Sequence, residues 1–206
     1  MKKKDLDTPV LWVDLDRLAE NITSLGTYFK VAGVDWRPHT KGVKIPAIAH
    51  MAMGAGAIGV TCAKLGEAEV MAANGIHDIL IANQIVGPHK ITRLVNLCKQ
   101  ADVKIAVDSG ETLAALSQAA TQKGVEVGIL VELNTGMERA GVLPGEPAVE
   151  LSRKVHATPG LRYQGLMAWE GHACVSEETD WKEKEIKRSV GLLADTAEKC
   201  RAAGLP

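Results

Sequence analysis

The sequence predicts an α/β fold built on a parallel sheet, and three observations predict it. Aromatic residues make up only 3% of the 206 residues, while Ala, Val, Leu, Ile and Gly are plentiful. Antiparallel sandwiches and barrels draw more heavily on aromatics for their strands, whereas strands buried on both faces are short Val/Ile/Leu runs. Strand-like and helix-like segments also alternate along the chain with a period of roughly 20–25 residues, which is the spacing parallel neighbours need for a crossover. Finally, the helical segments are Ala-rich and several end at a glycine, the usual residue just past a helix C-terminus.

An apolar run at Pro9–Val13 opens the chain as a strand, and an amphipathic stretch, Asp14–Lys30, follows it. Val34–Lys41 is then a strand, Pro46–Met53 a helix with proline in its first turn, and Ala57–Cys62 a strand. Glu67–Asn74 is helical and stops at Gly75; Asp78–Ala82 is a strand; Pro88–Gln100 is a helix; Lys104–Val107 is a strand. A helix starts near Ser109 and runs to Lys123, where Gly124 ends it. Val127–Leu133, Glu146–His156, Arg162–Trp169 and Trp181–Ala203 complete the series as strand, helix, strand and long helix. Two architectures fit this order, an open doubly wound sheet and a (β/α)8 barrel. Counted as a barrel, the chain holds about six βα units after the opening strand, against the eight and about 250 residues of a whole one. No linker or low-complexity stretch divides it, so residues 1–206 form one domain.

Charge and cysteine usage exclude several functions. A net charge of −1 argues against nucleic-acid binding by counterion release and against a polybasic route to a membrane surface. The longest apolar stretch, residues 51–63, is interrupted by Gly54, Gly56 and Gly59 and is shorter than the ~20 residues of a membrane span. Cys62, Cys98, Cys174 and Cys200 show no CxxC pair, as expected of reduced thiols in a cytoplasmic protein. Gly54-Ala-Gly-Ala-Ile-Gly59 matches GxGxxG, with Asp78 at the distance of a ribose-binding acid. That fingerprint requires a strand before it and a helix after it, and here the order is reversed, so the segment is a glycine-rich turn.

The densest chemistry lies in Trp36-Arg-Pro-His-Thr-Lys41-Gly-Val-Lys44. If the segment is extended, Arg37, His39 and Lys41 share one side, and the C-terminal end of a barrel strand faces the active site. Clustered positive charge favours the neutral amine of a lysine and so prepares it for Schiff-base chemistry. Solvated basic residues at a strand end are the competing interpretation.

These residues also carry a resemblance. Arg37-Pro-His-Thr-Lys41-Gly-Val-Lys44 is similar to the RPHxKxxK signature of D-threonine aldolases, D-3-hydroxyaspartate aldolases and D-serine dehydratases. These are fold-type III pyridoxal phosphate enzymes related to alanine racemase through its N-terminal barrel. Asp7–Asp16, Gly59–Glu69, Asp78–Gln84, Val131–Gly141 and Gly165–His172 resemble the same group in order, so the match covers essentially the whole chain.

The resemblance implies the barrel rather than the doubly wound sheet, and pyridoxal 5'-phosphate as cofactor. It implies Lys41 as the Schiff-base lysine, with Lys44 the weaker alternative. Arg139 corresponds to the arginine on the cofactor's phenolic oxygen, and Glu132 is placed to brace it. Trp169 and His172 correspond to groups beside the cofactor ring, His172 as acid/base, while His39, Thr61 and Asn83 line the site. The implied reaction is cleavage of a β-hydroxy-D-amino acid to glycine and an aldehyde. A D-serine dehydratase-like elimination and a non-catalytic carrier barrel stay open beside it. The group's pattern continues beyond Pro206, into a phosphate-gripping loop and a C-terminal β-domain with ligands for Mn2+ or Zn2+. The expectation is therefore a fragment of a longer enzyme, its opening strand unpaired, with a small D-amino acid as partner and a homodimer as its assembly.

Overall fold

The computed structural model describes residues 3–206. Residues 9–13, expected as a strand, join no strand of the sheet, and Val10 and Leu11 are exposed. An extended segment needs a neighbouring ladder to become a strand, and the sheet edge nearest in sequence is taken by residues 36–39. Helix α1, Leu15–Ala32, begins at Asp14, whose carboxylate accepts from the Arg17 N–H at 3.1 Å. It ends at Gly33 in the left-handed conformation, φ 67°. Helix α2, Pro46–Gly54, packs on α1 so closely that a Cβ on Gly26 would lie 2.2 Å from the Ala55 carbonyl oxygen.

The segment expected as the first barrel strand, 34–41, is not a regular strand. It touches the sheet through two isolated parallel bridges, Trp36 to Ala57 and His39 to Thr61. The Pro38 carbonyl accepts from the Thr61 N–H at 2.8 Å, but proline has no N–H to return, so the ladder does not propagate. At Thr40–Gly42 the chain turns into one 3-10 turn, capped by the His39 Nδ1, which accepts from the Lys41 N–H at 3.3 Å. Lys41 therefore stands on a turn, not at the end of an alternating strand.

Five parallel strands follow: β1 Val60–Cys62, β2 Asp78–Gln84, β3 Asp102–Val107, β4 Val127–Leu133 and β5 Leu161–Ala168. Their order in the sheet is the order in the chain. A doubly wound sheet reverses order at a switch point, and a barrel wall does not; the sheet is a wall. Helices α3 (Leu65–Ala73), α4 (Pro88–Leu97), α5 (Leu113–Lys123), α6 (Glu146–His156) and α8 (Thr179–Ala202) connect and cover it, with a short α7 (Gly171–Cys174) after β5. One face of the strands supplies Ile79, Ile81, Val103, Ile105, Ile129 and Val131, fully or nearly fully buried with Met71, Leu94, Leu116 and Val155 of the helices. Each such side chain contributes about 1.5–3 kcal/mol by leaving water.

The opposite face is polar at its base. There Arg37 pairs with Asp78 at 2.8 Å, Lys104 bridges Asp78 and Asp102 at 2.6 Å each, and Arg162 continues the chain of charges from Asp102 toward Glu126. Burial alone would raise the Asp78 and Asp102 carboxyls, but the bonds from these cations hold both below the ordinary range.

Candidate active site

Above that base, at the C-terminal ends of the strands, the same face opens into a cavity of about 510 Å3. Arg37, His39 and Lys41 enter it from the irregular first segment, Thr61 and Asn83 from the ends of β1 and β2, and Arg139 and Trp169 from the segments after β4 and β5. Period-two alternation along β2 adds Leu80, Ala82 and Gln84. A larger groove of about 710 Å3 lies between α1 and α2 and offers one charged side chain, Lys30. Chemistry, rather than volume, singles out the smaller cavity.

The turn that carries Lys41 is anchored beneath it. Thr40 is buried, and its hydroxyl donates to the Thr61 carbonyl at 3.1 Å. The Lys41 Nζ stands 6.0 Å from the centroid of the Trp169 ring, at the outer reach of a cation–π contact. His39 is held below the ordinary histidine pKa by burial and then by the Lys41 charge. Lys44, the alternative lysine, has left-handed backbone (φ 54°) and pairs with Glu67 at 3.4 Å, outside the cavity lining.

Glu132, 5% exposed, also lines the cavity. Burial raises its carboxyl above the usual range, helped by Asp108 and opposed by the Gln84 hydrogen bond and the Arg139 charge. Its hydrogen-bond partner is the Gln84 amide, which donates at 2.6 Å, and not Arg139 as the sequence suggested. Gln84 sits directly across the inner face, whereas Arg139 belongs to the following loop.

The loop that presents Arg139 is pinned at both ends. The Asn134 N–H donates to the Val142 carbonyl and the Val142 N–H to the Glu132 carbonyl, each at 2.9 Å. Within it, the Asn134 side-chain oxygen accepts from the N–H groups of Gly136 and Glu138 at 3.1 Å each. This bond steadies Glu138 in the left-handed region at φ 52°.

The cavity thus brings together Lys41, His39, Arg139, Trp169, Thr61 and Asn83. His172 lies outside its lining. It falls in α7, with Nε2 2.9 Å from Glu185 Oε1 and Nδ1 buried without a hydrogen-bond partner among the described residues. Of the lining residues not expected from the sequence, Gln84 is the one with a polar side chain; Leu80, Met167 and four alanines make up the rest, and the alternation within β2 was the signal available for Gln84.

The donor set suits a planar, anionic, aldehyde-bearing cofactor: an amine over an indole face, a guanidinium, and a floor of Ala63, Ala82 and Ala168 that leaves room for a ring. Among the described residues no group of three or more His, Cys, Asp or Glu is placed to hold a metal ion, and no helix is long and apolar enough to cross a membrane.

The chain is 34% identical over 208 residues to the 3-hydroxy-D-aspartate aldolase of Paracoccus denitrificans (strain Pd 1222), covering 100% of this chain and 54% of that protein. It is 32% identical to the D-threonine aldolase of an Arthrobacter species, covering 97% and 53%. The crystal structure of D-threonine aldolase from Filomicrobium marinum superposes with a TM-score of 0.96 at 38% identity, over 98% of this chain and 55% of that one. D-threo-3-hydroxyaspartate dehydratase from Delftia sp. HT23 gives a TM-score of 0.89 at 31% identity, over 98% and 53%. The chain spans about half the length of the curated relatives it matches. The family model for the alanine racemase N-terminal domain matches residues 13–206, and the chain belongs to that family.

Proposed function

We propose that this chain is the cofactor-holding part of a pyridoxal phosphate-dependent lyase that cleaves a β-hydroxy-D-amino acid to glycine and an aldehyde. The observation that carries this reading is the convergence of Lys41, Arg139 and Trp169 on one cavity at the strand ends. The similarity to aldolases over nearly the whole chain supports it.

Bound pyridoxal phosphate supplies an electron sink for the pair released when the Cα–Cβ bond breaks. The chain's own residues do the rest. Lys41 provides the amine that attaches the cofactor, and the Thr40 and His39 hydrogen bonds hold its backbone still. Arg139 provides fixed positive charge for an anionic ring oxygen. Trp169 gives an aromatic face that shields one side of the cavity from water. Glu132, its carboxyl raised above the ordinary range by burial, lines the site and accepts the Gln84 amide hydrogen bond. A divalent metal, Mn2+ or Zn2+, belongs to this reading only through residues other than those described.

The test is turnover of D-threonine and D-3-hydroxyaspartate by the purified protein with pyridoxal phosphate, with and without Mn2+ or Zn2+. Glycine plus an aldehyde supports the proposal. Ammonia plus a 2-oxo acid would replace cleavage with elimination, as in the dehydratase relative. Absence of both products, with no cofactor on Lys41, would overturn it.

A further inference from the structure

The polar cluster behind the cavity has no part in the chemistry above, yet it touches both segments that supply it. Glu185 of α8 is half-buried, and one of its oxygens serves two partners. His172 Nε2 lies 2.9 Å away on one side; Arg188 binds on the other, its Nε donating at 2.8 Å. Hydrogen bonds from Arg188 and then His172 pull the Glu185 carboxyl down to about 2.

Each partner leads to a cavity residue. Arg188 Nη2 donates to the Thr135 carbonyl at 2.7 Å, and Ser189 Oγ donates to the same oxygen at 3.2 Å, so the Arg139 loop is held from behind. His172 lies one residue beyond Gly171, against which the Trp169 indole folds: a Cβ on Gly171 would meet Trp169 Nε1 at 2.2 Å. The two arms meet at Gly136, where a Cβ would come within 2.6 Å of Arg188 Nη2 and 2.8 Å of His172 Nε2.

We propose that Glu185 is a positioning residue that locks the Trp169 segment and the Arg139 loop to one another, acting through His172 and Arg188. Its importance for the cofactor rests on the reading of the cavity given above; the lock itself does not. In this assignment His172 works as a strut rather than as a group moving protons at the cofactor.

Hydrogen exchange of the cofactor-free protein tests the lock. In Glu185→Gln, exchange rises by about tenfold or more at both 134–141 and 169–174, as expected for loss of a charged hydrogen bond. In the control Lys187→Ala, which removes only the exposed pair with Glu183 on the same helix, neither segment changes. Glu185→Gln keeps the side-chain volume and is the variant to read if Glu185→Ala does not fold. Exchange rising in only one segment, or in neither, overturns the proposal. A second readout is the pyridoxal phosphate-loaded protein, where Glu185→Gln is expected to shift the visible band and weaken cofactor affinity about tenfold, as loss of an outer partner of a bound group does. If the unaltered protein takes up no cofactor, the functional reading fails while the exchange result still decides the lock.

Discussion

Gly141 closes the loop that presents Arg139, and replacing it with alanine tests how tightly that loop is built. Its φ is +101°, outside the range an L-residue adopts cheaply, and a Cβ there would lie 2.5 Å from both the Asn134 nitrogen and the Leu133 carbonyl carbon. Those atoms are backbone at the end of β4, so they yield only by moving the strand end. The conformation costs about 1–3 kcal/mol, and relieving the contact adds about 1–3 kcal/mol, as overpacking does. Gly33→Ala is the matched control: φ is +67° with nothing within 4 Å, so it pays the conformational cost alone, about 1–2 kcal/mol. With the conformational costs of the two variants cancelling, the contact term alone, at roughly 2–4 °C per kcal/mol for a chain of this size, is expected to make Gly141→Ala melt about 2–12 °C below Gly33→Ala. Circular dichroism melts measure the difference directly. Pyridoxal phosphate affinity is expected to fall in Gly141→Ala and to stay unchanged in Gly33→Ala. If Gly141→Ala melts at or above Gly33→Ala, the packed loop described here is wrong.

Three further outcomes are expected. Thr40→Val, which leaves the Thr61 carbonyl without its hydroxyl donor, costs about 1–3 kcal/mol in denaturant unfolding and weakens cofactor binding by loosening the Lys41 turn. Lys44→Ala, which breaks a pair with one exposed partner, changes stability by at most about 1 kcal/mol and leaves cofactor uptake intact, whereas Lys41→Ala abolishes covalent uptake. Glu132→Gln changes the pH dependence of stability. Because burial raises the folded pKa of Glu132 above its ordinary 4.5, its contribution is fully present below 4.5 and is lost as pH rises through the folded value. Urea melts from pH 4 upward are therefore expected to show Glu132→Gln gaining on the unaltered protein as pH rises, and parallel curves would refute that cause.

Much of this was legible in the chain. Val127–Leu133 and Glu146–His156 fall where local patterning puts them, because Gly124 and Gly145 mark turns next to them and their apolar periods are clean. The first barrel segment was harder. Its residues favour a strand, but Pro38 removes a ladder donor and Thr40 finds a better partner in the Thr61 carbonyl, so the chain turns early and carries Lys41 with it. The lysine still reaches the cavity, although the strand expected to carry it there does not form. Arg139 and Trp169 were singled out by the family resemblance, and both stand in segments that follow strand ends, those of β4 and β5. The placement of His172 depends on Glu185, thirteen residues further on across a helix, and the Gln84–Glu132 bond depends on two strands separated by a third. Neither contact leaves a periodic trace in one sequence.

The central claim is that the Lys41 amine attaches pyridoxal phosphate in this cavity, and one measurement addresses it. The protein is incubated with pyridoxal phosphate, reduced with borohydride, digested, and its peptides are mapped by mass spectrometry. A single dominant adduct on Lys41, lost in Lys41→Ala, is the result expected. Adducts spread over surface lysines, or a dominant adduct on Lys44, would contradict the account.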